Sequence, residues 1–300
     1  MSLLFDIKKF AINDGPGIRI TFFFKGCPLS CVWCHNPESI SPKIQKLFTK
    51  SKCIGALKCI EVCPNDALTL SRDGIITDFS KCKLCGLCAE ACPTKAMEMS
   101  GFKKDFDEII NLVENERPFL EESGGGVTFS GGEPLMHSEF LLPVLKELGK
   151  RKIHRVIDTS GFTSRKVMED IHKHTDIFLY DLKHLDSEIH KKFTSQNNEK
   201  ILSNLKWLSS EGADIIIRIP LIKGFNADKE NISRMAVFIS SLEGKSKVIN
   251  LLTYHNIAKM KYEKLGGKYD VINLSTPSSQ EINECISIFK NYGLNASVGG

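Results

Sequence analysis

Three cysteines stand close together in the stretch Lys25-Gly26-Cys27-Pro28-Leu29-Ser30-Cys31-Val32-Trp33-Cys34-His35. A four-iron, four-sulfide cube normally takes one thiolate on each iron. Three thiolates in one short loop leave an iron open. An open metal position can do chemistry rather than only store electrons. A further cysteine-rich stretch follows. Cys53, Cys59 and Cys63, the last followed by Pro64, are echoed by Cys82, Cys85, Cys88 and Cys92, the last followed by Pro93. The second copy is the complete bacterial ferredoxin run, in which the fourth cysteine ligates the other cluster. Crossed over in this way, one cluster takes Cys82, Cys85, Cys88 and Cys63. The other takes Cys53, Cys59 and Cys92, and its fourth ligand belongs at position 56, which is Ala56. That cluster is then three-iron, a four-iron cube with an exogenous or unusual ligand, or absent. A zinc ribbon fits neither the four-cysteine spacing nor the trailing proline.

Other classes fall away on composition. Ten of the eleven cysteines lie between positions 27 and 92, which opposes a secreted disulfide scaffold and leaves Cys285 as a packed thiol. A net charge of +4 without a Lys/Arg run argues against a nucleic-acid partner. The N-terminus Met1-Ser2-Leu3-Leu4-Phe5-Asp6 reaches charge at once, unlike a signal peptide, and no apolar run is long enough for a bilayer span. The expectation is a cytoplasmic protein with no membrane partner.

The elements that must position the cysteines read as alternating strands and helices, hence βα units around a parallel sheet. Strands are predicted at Ile18–Phe24, Val127–Phe129, Arg155–Ile157, Ile177–Tyr180, Ile215–Ile219 and Val248–Leu252. Helices are predicted at Phe106–Asn115, Ser138–Lys150, Ser164–His172, Ile201–Ser210, Lys229–Ser241 and Ser279–Asn291, before a short Ala296–Val298 segment. Each strand is followed by residues able to bind a ligand. The first leads to the three cysteines, the second to Ser130-Gly131-Gly132-Glu133-Pro134, the third to Asp158-Thr159-Ser160-Gly161 and the fourth to Asp181-Leu182-Lys183. Arg218 lies near the end of the fifth, and Thr253-Tyr254-His255 follow the sixth. Singly, each has a plain alternative: a glycine turn, a helix cap, a solvated ion pair, a structural histidine. The glycines form neither a Walker A nor a GxGxxG phosphate loop. Recurrence at six successive strand ends points to a site on the C-terminal face of a barrel.

These motifs together resemble the radical S-adenosylmethionine (SAM) superfamily and, within it, the activating enzymes of glycyl radical enzymes. The resemblance runs over essentially the whole chain. It is carried by Asp14-Gly15-Pro16-Gly17-Ile18-Arg19, by Cys27 to Glu38 with Trp33, His35, Asn36 and Pro37, and by Gly124-Gly125-Gly126-Val127 running on to Ser130-Gly131-Gly132-Glu133. Asp181-Leu182-Lys183 and Tyr254-His255 complete it. The implied fold is α/β, a partial (β/α)6 TIM-like barrel of residues 1–48 and 101–300 with an inserted ferredoxin-like, two-cluster domain at 49–100.

The resemblance implies that Cys27, Cys31 and Cys34 hold a [4Fe–4S] cluster whose open iron chelates SAM. Trp33 and His35 would flank the adenine, and Gly131, Gly132 and Glu133 would offer backbone contacts to the methionine amine. Lys183, next to Leu182 in the SAM-binding stretch, would pair with the SAM carboxylate. Asp158, Thr159 and Asp181 would form a monovalent-cation site, and Arg218 and His255 would reach the ribose and adenine side. Asp14 would lie where the partner's glycine-bearing peptide threads. The implied oxidoreductase reaction passes one electron to SAM, gives methionine and a 5′-deoxyadenosyl radical equivalent, and removes a hydrogen atom from a glycine of the partner enzyme. A flavodoxin or ferredoxin-type protein would supply the electron, and one or two auxiliary Fe–S clusters would accompany the first. Two other readings remain open at this point: a radical SAM enzyme acting on a small molecule or peptide, and an electron carrier without SAM chemistry.

Overall fold

The computed structural model describes residues 1–72, 74–244, 248–255, 258–267, 269 and 273–299. Nine strands share one sheet: β1 Ser2–Ala11, β2 Arg19–Phe24, β3 Phe102–Lys104, β4 Gly126–Gly131, β5 His154–Thr159, β6 Ile177–Asp181, β7 Ile215–Leu221, β8 Val248–Thr253 and β9 Asn295–Val298. Their order is β9-β8-β7-β6-β5-β4-β2-β1-β3. From β2 to β9 every pairing is parallel, as βα crossovers demand. All six expected strands are present. The short Ala296–Val298 segment proves to be part of a seventh parallel strand.

Two strands had no sequence signal. β1 and β3 pair antiparallel at the edge beside β2. In β1, Phe5-Asp6-Ile7-Lys8-Lys9-Phe10 breaks strict alternation, and register shifts interrupt its ladder with β2. Edge strands face water and need no clean apolar stripe.

The strands bury both faces, but differently. Ile20, Phe22 and Phe24 of β2, Val127 and Phe129 of β4, and Phe178 and Tyr180 of β6 point outward into one apolar core. Helices close it. Ser138–Lys150 contributes Leu141, Val144, Leu145 and Leu148 at helical spacing, and Phe106–Glu122 contributes Ile109, Ile110 and Val113. Full burial of such side chains stabilises by roughly 1.5–3 kcal/mol each. The alternate positions, Arg19, Thr21, Thr128, Ser130, Asp158, Asp181 and Arg218, share the inner face because side chains alternate along a strand. Beside Val156 and Leu179, that inner face thus carries many buried polar groups, which an ordinary core would not tolerate without a purpose.

Between β2 and β3 the chain makes a smaller unit. Gln45–Phe48 pairs with Met97–Ser100, and Leu68–Ser71 forms a hairpin with Gly74–Thr77. Two four-residue helical turns, Lys58–Glu61 and Leu87–Glu90, contact each other. Among the described residues no helix is long and apolar enough to cross a membrane.

Candidate active site at the strand ends

A cavity of about 950 Å³, its open mouth included, sits at the C-terminal ends of the parallel strands. Cys27, Cys31 and Cys34 line one side, Gly131 and Gly132 the next, and Asp158, Thr159, Asp181 and Lys183 the far side. The cysteine loop is built on strand ends. Gly26 N–H donates to Ser39 O at 2.7 Å, Cys27 N–H to Ile40 O at 3.1 Å, and Glu133 N–H to Gly26 O at 2.8 Å. Lys25, fully buried, bonds Glu38 O and reaches Gln45 Oε1 at 3.0 Å, tying the loop to the first residue of the strand Gln45–Phe48. The loop then crosses the mouth. His35 stacks on His255 with ring centroids 4.2 Å apart, and Lys261 Nζ donates to Asn36 Oδ1 at 2.6 Å and Glu38 Oε1 at 2.7 Å. The ends of the first and sixth predicted strands thus meet across the cavity.

The charges are paired. Lys183 Nζ lies 2.6 Å from Asp181 Oδ2, and Arg218 Nη1 lies 3.3 Å from Asp158 Oδ1. Burial pulls Lys183 down, but Asp181 and the cysteines Cys31 and Cys27 outweigh it, so its ammonium is held more firmly than usual. Burial, with Asp181 adding to it, pushes the Asp158 carboxyl up against the pull of Arg218. Burial also pushes the Cys27, Cys31 and Cys34 thiols up, Cys31 to about 12, while Lys183 draws Cys31 and Cys34 back. Iron binding to these sulfurs therefore has to displace protons.

The structure also shows what the other expected site residues touch within the chain. Glu133 is fully buried behind the cavity. Its carboxylate accepts from Thr159 Oγ1 at 2.6 Å, Ser160 N at 2.9 Å, Ser160 Oγ at 2.5 Å and Leu135 N at 3.2 Å. It braces the β4 end against the β5 end. Leu182 points into the apolar core, while its N–H donates to Arg218 O at 2.9 Å. The Trp33 ring packs on Phe225 at 4.5 Å and Phe193 at 6.4 Å and is 6% exposed. Asp158 and Asp181, two of the expected cation ligands, are also paired with Arg218 and Lys183. Asp14 does not line the cavity. Its carboxylate accepts from Thr21 Oγ1 at 2.7 Å and its carbonyl from Thr128 Oγ1 at 2.7 Å, on the inner face below the strand ends. Buried Arg19 supports the same loop through Pro16 O at 2.9 Å and Thr128 Oγ1 at 2.7 Å.

Comparison with known proteins identifies this arrangement. A family model described as the radical SAM superfamily matches residues 79–236. A 4Fe-4S single cluster domain matches residues 13–71, and a 4Fe-4S dicluster domain matches residues 52–96. The trans-4-hydroxy-L-proline dehydratase activating enzyme of Clostridioides difficile is 41% identical over 99% of each chain. The isethionate sulfite-lyase activating enzyme of Oleidesulfovibrio alaskensis is 39% identical over 87% of this chain and 85% of its own. The crystal structure of a domain of pyruvate-formate lyase-activating enzyme from Bacteroides vulgatus shares 39% identity, covers 59% of this chain and 99% of that one, and superposes with a TM-score of 0.51. This chain is a radical SAM protein. It belongs with the activating enzymes of glycyl radical enzymes.

The superfamily brings SAM and a [4Fe–4S] cluster, and the ferredoxin-like matches bring auxiliary clusters. The residues present fit these groups. In the main cavity, thiols from one loop face a buried ammonium, and among the described residues His35 Nε2 is buried with no partner. The insert holds two smaller cavities, of about 350 and 290 Å³. Cys63, Cys82, Cys85 and Cys88 line the first; Cys53, Cys59 and Cys92 line the second, with Ala56 beside them.

One residue with no sequence signal also lines the first of these cavities. Lys46 is buried, donates to Thr77 Oγ1 and sits 5.6 Å from the centre of the Phe79 ring. Among the described residues it has no carboxylate partner. Burial lowers its pKa, and the nearby Cys88, Cys82, Cys63 and Cys59 oppose that. A thiolate-bound cluster would be its counter-ion.

Proposed function

We propose that this radical SAM protein activates a glycyl radical enzyme through the strand-end cavity, with Cys27, Cys31 and Cys34 as cluster ligands. The observation that carries the reading is the convergence of these thiols with Gly131, Gly132, Asp158, Asp181 and Lys183 on one cavity. Bound there, the cluster and SAM supply one electron and a 5′-deoxyadenosyl radical equivalent that removes a hydrogen atom from the partner's glycine.

The chain's own residues do the positioning. Lys183, held charged by Asp181, presents a point charge for the SAM carboxylate. Gly131 and Gly132 line the cavity, and their missing side chains let the β4 end lie against the main chain of Phe24 and Gly26, which sets the cysteine loop beside it. Glu133 locks the β4 and β5 ends to each other, which fixes Gly132 and Thr159. His35 and His255, stacked at the mouth, offer a flat surface for a base. Ile222, Leu252 and Tyr254 form an apolar wall that excludes water. The loop that carries Asp14 is the place we assign to the partner's glycine-bearing peptide. Residues 49–100 form the cluster-bearing insert, with 1–48 and 101–300 as the barrel. A flavodoxin or ferredoxin-type protein is the reductant in this scheme, in the cytoplasm.

The test is anaerobic reconstitution followed by incubation with reductant, SAM and a panel of glycyl radical enzymes. The panel includes a trans-4-hydroxy-L-proline dehydratase and an isethionate sulfite-lyase. A glycyl radical signal by electron paramagnetic resonance with one partner is expected. SAM cleavage yielding a small-molecule product and no protein radical across the panel refutes it.

A further inference from the structure

The two halves of the insert share a backbone, not only a cysteine pattern. Left-handed residues recur at matching places: Gly55 at φ 70 and Leu84 at φ 52, Leu57 at φ 58 and Gly86 at φ 88, Asp66 at φ 48 and Lys95 at φ 52. The turn Lys58–Glu61 follows Leu57 as Leu87–Glu90 follows Gly86. Even the amide-to-sulfur bonds match, with Ala67 N to Cys63 Sγ at 3.4 Å and Ala96 N to Cys92 Sγ at 3.2 Å. Non-glycine residues rarely adopt such conformations, so their recurrence reflects two loops wrapped for the same purpose. Ala56 therefore occupies the backbone place of Cys85.

Ala56 lines a cavity together with Cys53, Cys59 and Cys92. Among the described residues no other thiol, carboxylate or imidazole lines it. Its two other polar side chains are engaged. Lys58 Nζ is 2.7 Å from Glu61 Oε2, and Thr94 Oγ1 lies 3.8 Å from Cys92 Sγ. Ala56 itself is exposed, so solvent reaches this corner.

We propose that this outer auxiliary cluster is held by three thiolates only, and that its iron facing Ala56 is exchangeable and carries a small ligand from solvent, hydroxide or a low-molecular-weight thiolate. The inference rests on the reading that the insert carries iron–sulfur clusters, and it is independent of which partner is activated. An iron without a protein ligand leaves most readily. With ferricyanide as oxidant, a four-iron cluster of charge 2+ loses one electron and one ferrous ion and becomes a three-iron cluster of charge 1+. With dithionite supplying an electron and ferrous iron added, the same steps run backward. The inner cluster, with Cys63, Cys82, Cys85 and Cys88 around it, has no such corner.

The experiment uses the full chain with Cys27, Cys31 and Cys34 all replaced by Ala, so that only the insert reports. After anaerobic reconstitution, ferricyanide is added and the three-iron signal is quantified by electron paramagnetic resonance. About one three-iron cluster per chain is expected, falling at least about tenfold when Ala56→Cys is added. In the Ala56 chain, isotopically enriched ferrous iron with dithionite should restore the four-iron cluster, with the label in a single site by Mössbauer spectroscopy. An unchanged signal in Ala56→Cys, no three-iron signal from an insert holding both cubes, or an insert holding only the inner cluster each overturns the proposal. The Mössbauer arm needs no position-56 variant, so a misfolded Ala56→Cys chain leaves the question decidable. None of these outcomes bears on glycyl radical formation, which is read separately.

Discussion

Substitution of Gly132 by Ala tests how the barrel sets the cysteine loop. An ideal Cβ at Gly132 would lie 2.2 Å from Gly26 O and 2.9 Å from Ser39 O. Carbon-to-oxygen contacts settle near 3.3 Å or beyond, so the backbone must yield by about 1 Å. Both obstructing atoms are main-chain atoms, and no side-chain rotation relieves them. Gly26 is also bonded at both ends, to Ser39 O through its N–H and to Glu133 N–H through its carbonyl. The displacement is therefore handed to Cys27, the next residue. Overpacking of this kind costs about 1–3 kcal/mol in stability. A misplacement of about 1 Å at reacting groups can cost about 10²-fold in rate. The assay is the initial rate of 5′-deoxyadenosine formation from SAM with dithionite and no partner enzyme, alongside iron per chain. We expect a loss of about 100-fold with the protein still folded. Gly267→Ala, whose Cβ would meet nothing closer than Tyr262 O at 3.5 Å, should leave the rate unchanged. A Gly132→Ala protein with the parent's rate and iron content would refute the argument that this close approach positions the loop.

Other substitutions probe the charges. Lys46→Met removes a buried cation beside the inner auxiliary cluster. Its midpoint potential, read by redox titration in the triple Cys→Ala background, should fall by about 60 mV or more. Lys183→Met leaves Asp181 unpaired beside the cysteines, so SAM affinity by calorimetry should drop and stability should fall by about 3 kcal/mol; retained affinity would remove Lys183 from SAM binding. Glu133→Gln places a donor among four donors and should lower stability by about 1–3 kcal/mol, visible as an earlier urea midpoint. Burial and Lys183 hold the His190 pKa down to about 4, with its Nδ1 bonded to Gln196 O at 2.6 Å. The unfolded chain, with a pKa near 6.5, binds more protons between those values. Stability from neutral His190 is thus complete above about pH 6.5 and is lost toward pH 4, by about 2 kcal/mol after screening. His190→Gln should flatten the melting temperature across that interval, and an equal pH slope in both proteins would count against it.

Much of the site could be read from residue order alone. The spacing of Cys27, Cys31 and Cys34, the ferredoxin repeat and the gap at Ala56 are local features, because a cluster's ligands come from short loops whose reach the chain itself limits. The six parallel strands were legible too, since apolar runs and helical periodicity are written into contiguous residues. What escaped was direction and partnership. The Glu133 carboxylate, for which residue order suggests no role, turned behind the cavity to hold Thr159 and Ser160 at the end of the next strand. Asp158 at the end of one strand met Arg218, two strands away in the sheet. Lys25 and Lys46 carried no signal, because a lysine in a sequence reads as surface. Only tertiary packing buried them, Lys25 under the cysteine loop and Lys46 against Thr77 and Phe79 beside a cluster cavity. Composition and spacing along this chain determined which chemistry is possible. Which charge meets which, and which corner of a cluster faces water, depends on elements far apart in the chain, and the tertiary structure alone brings them together.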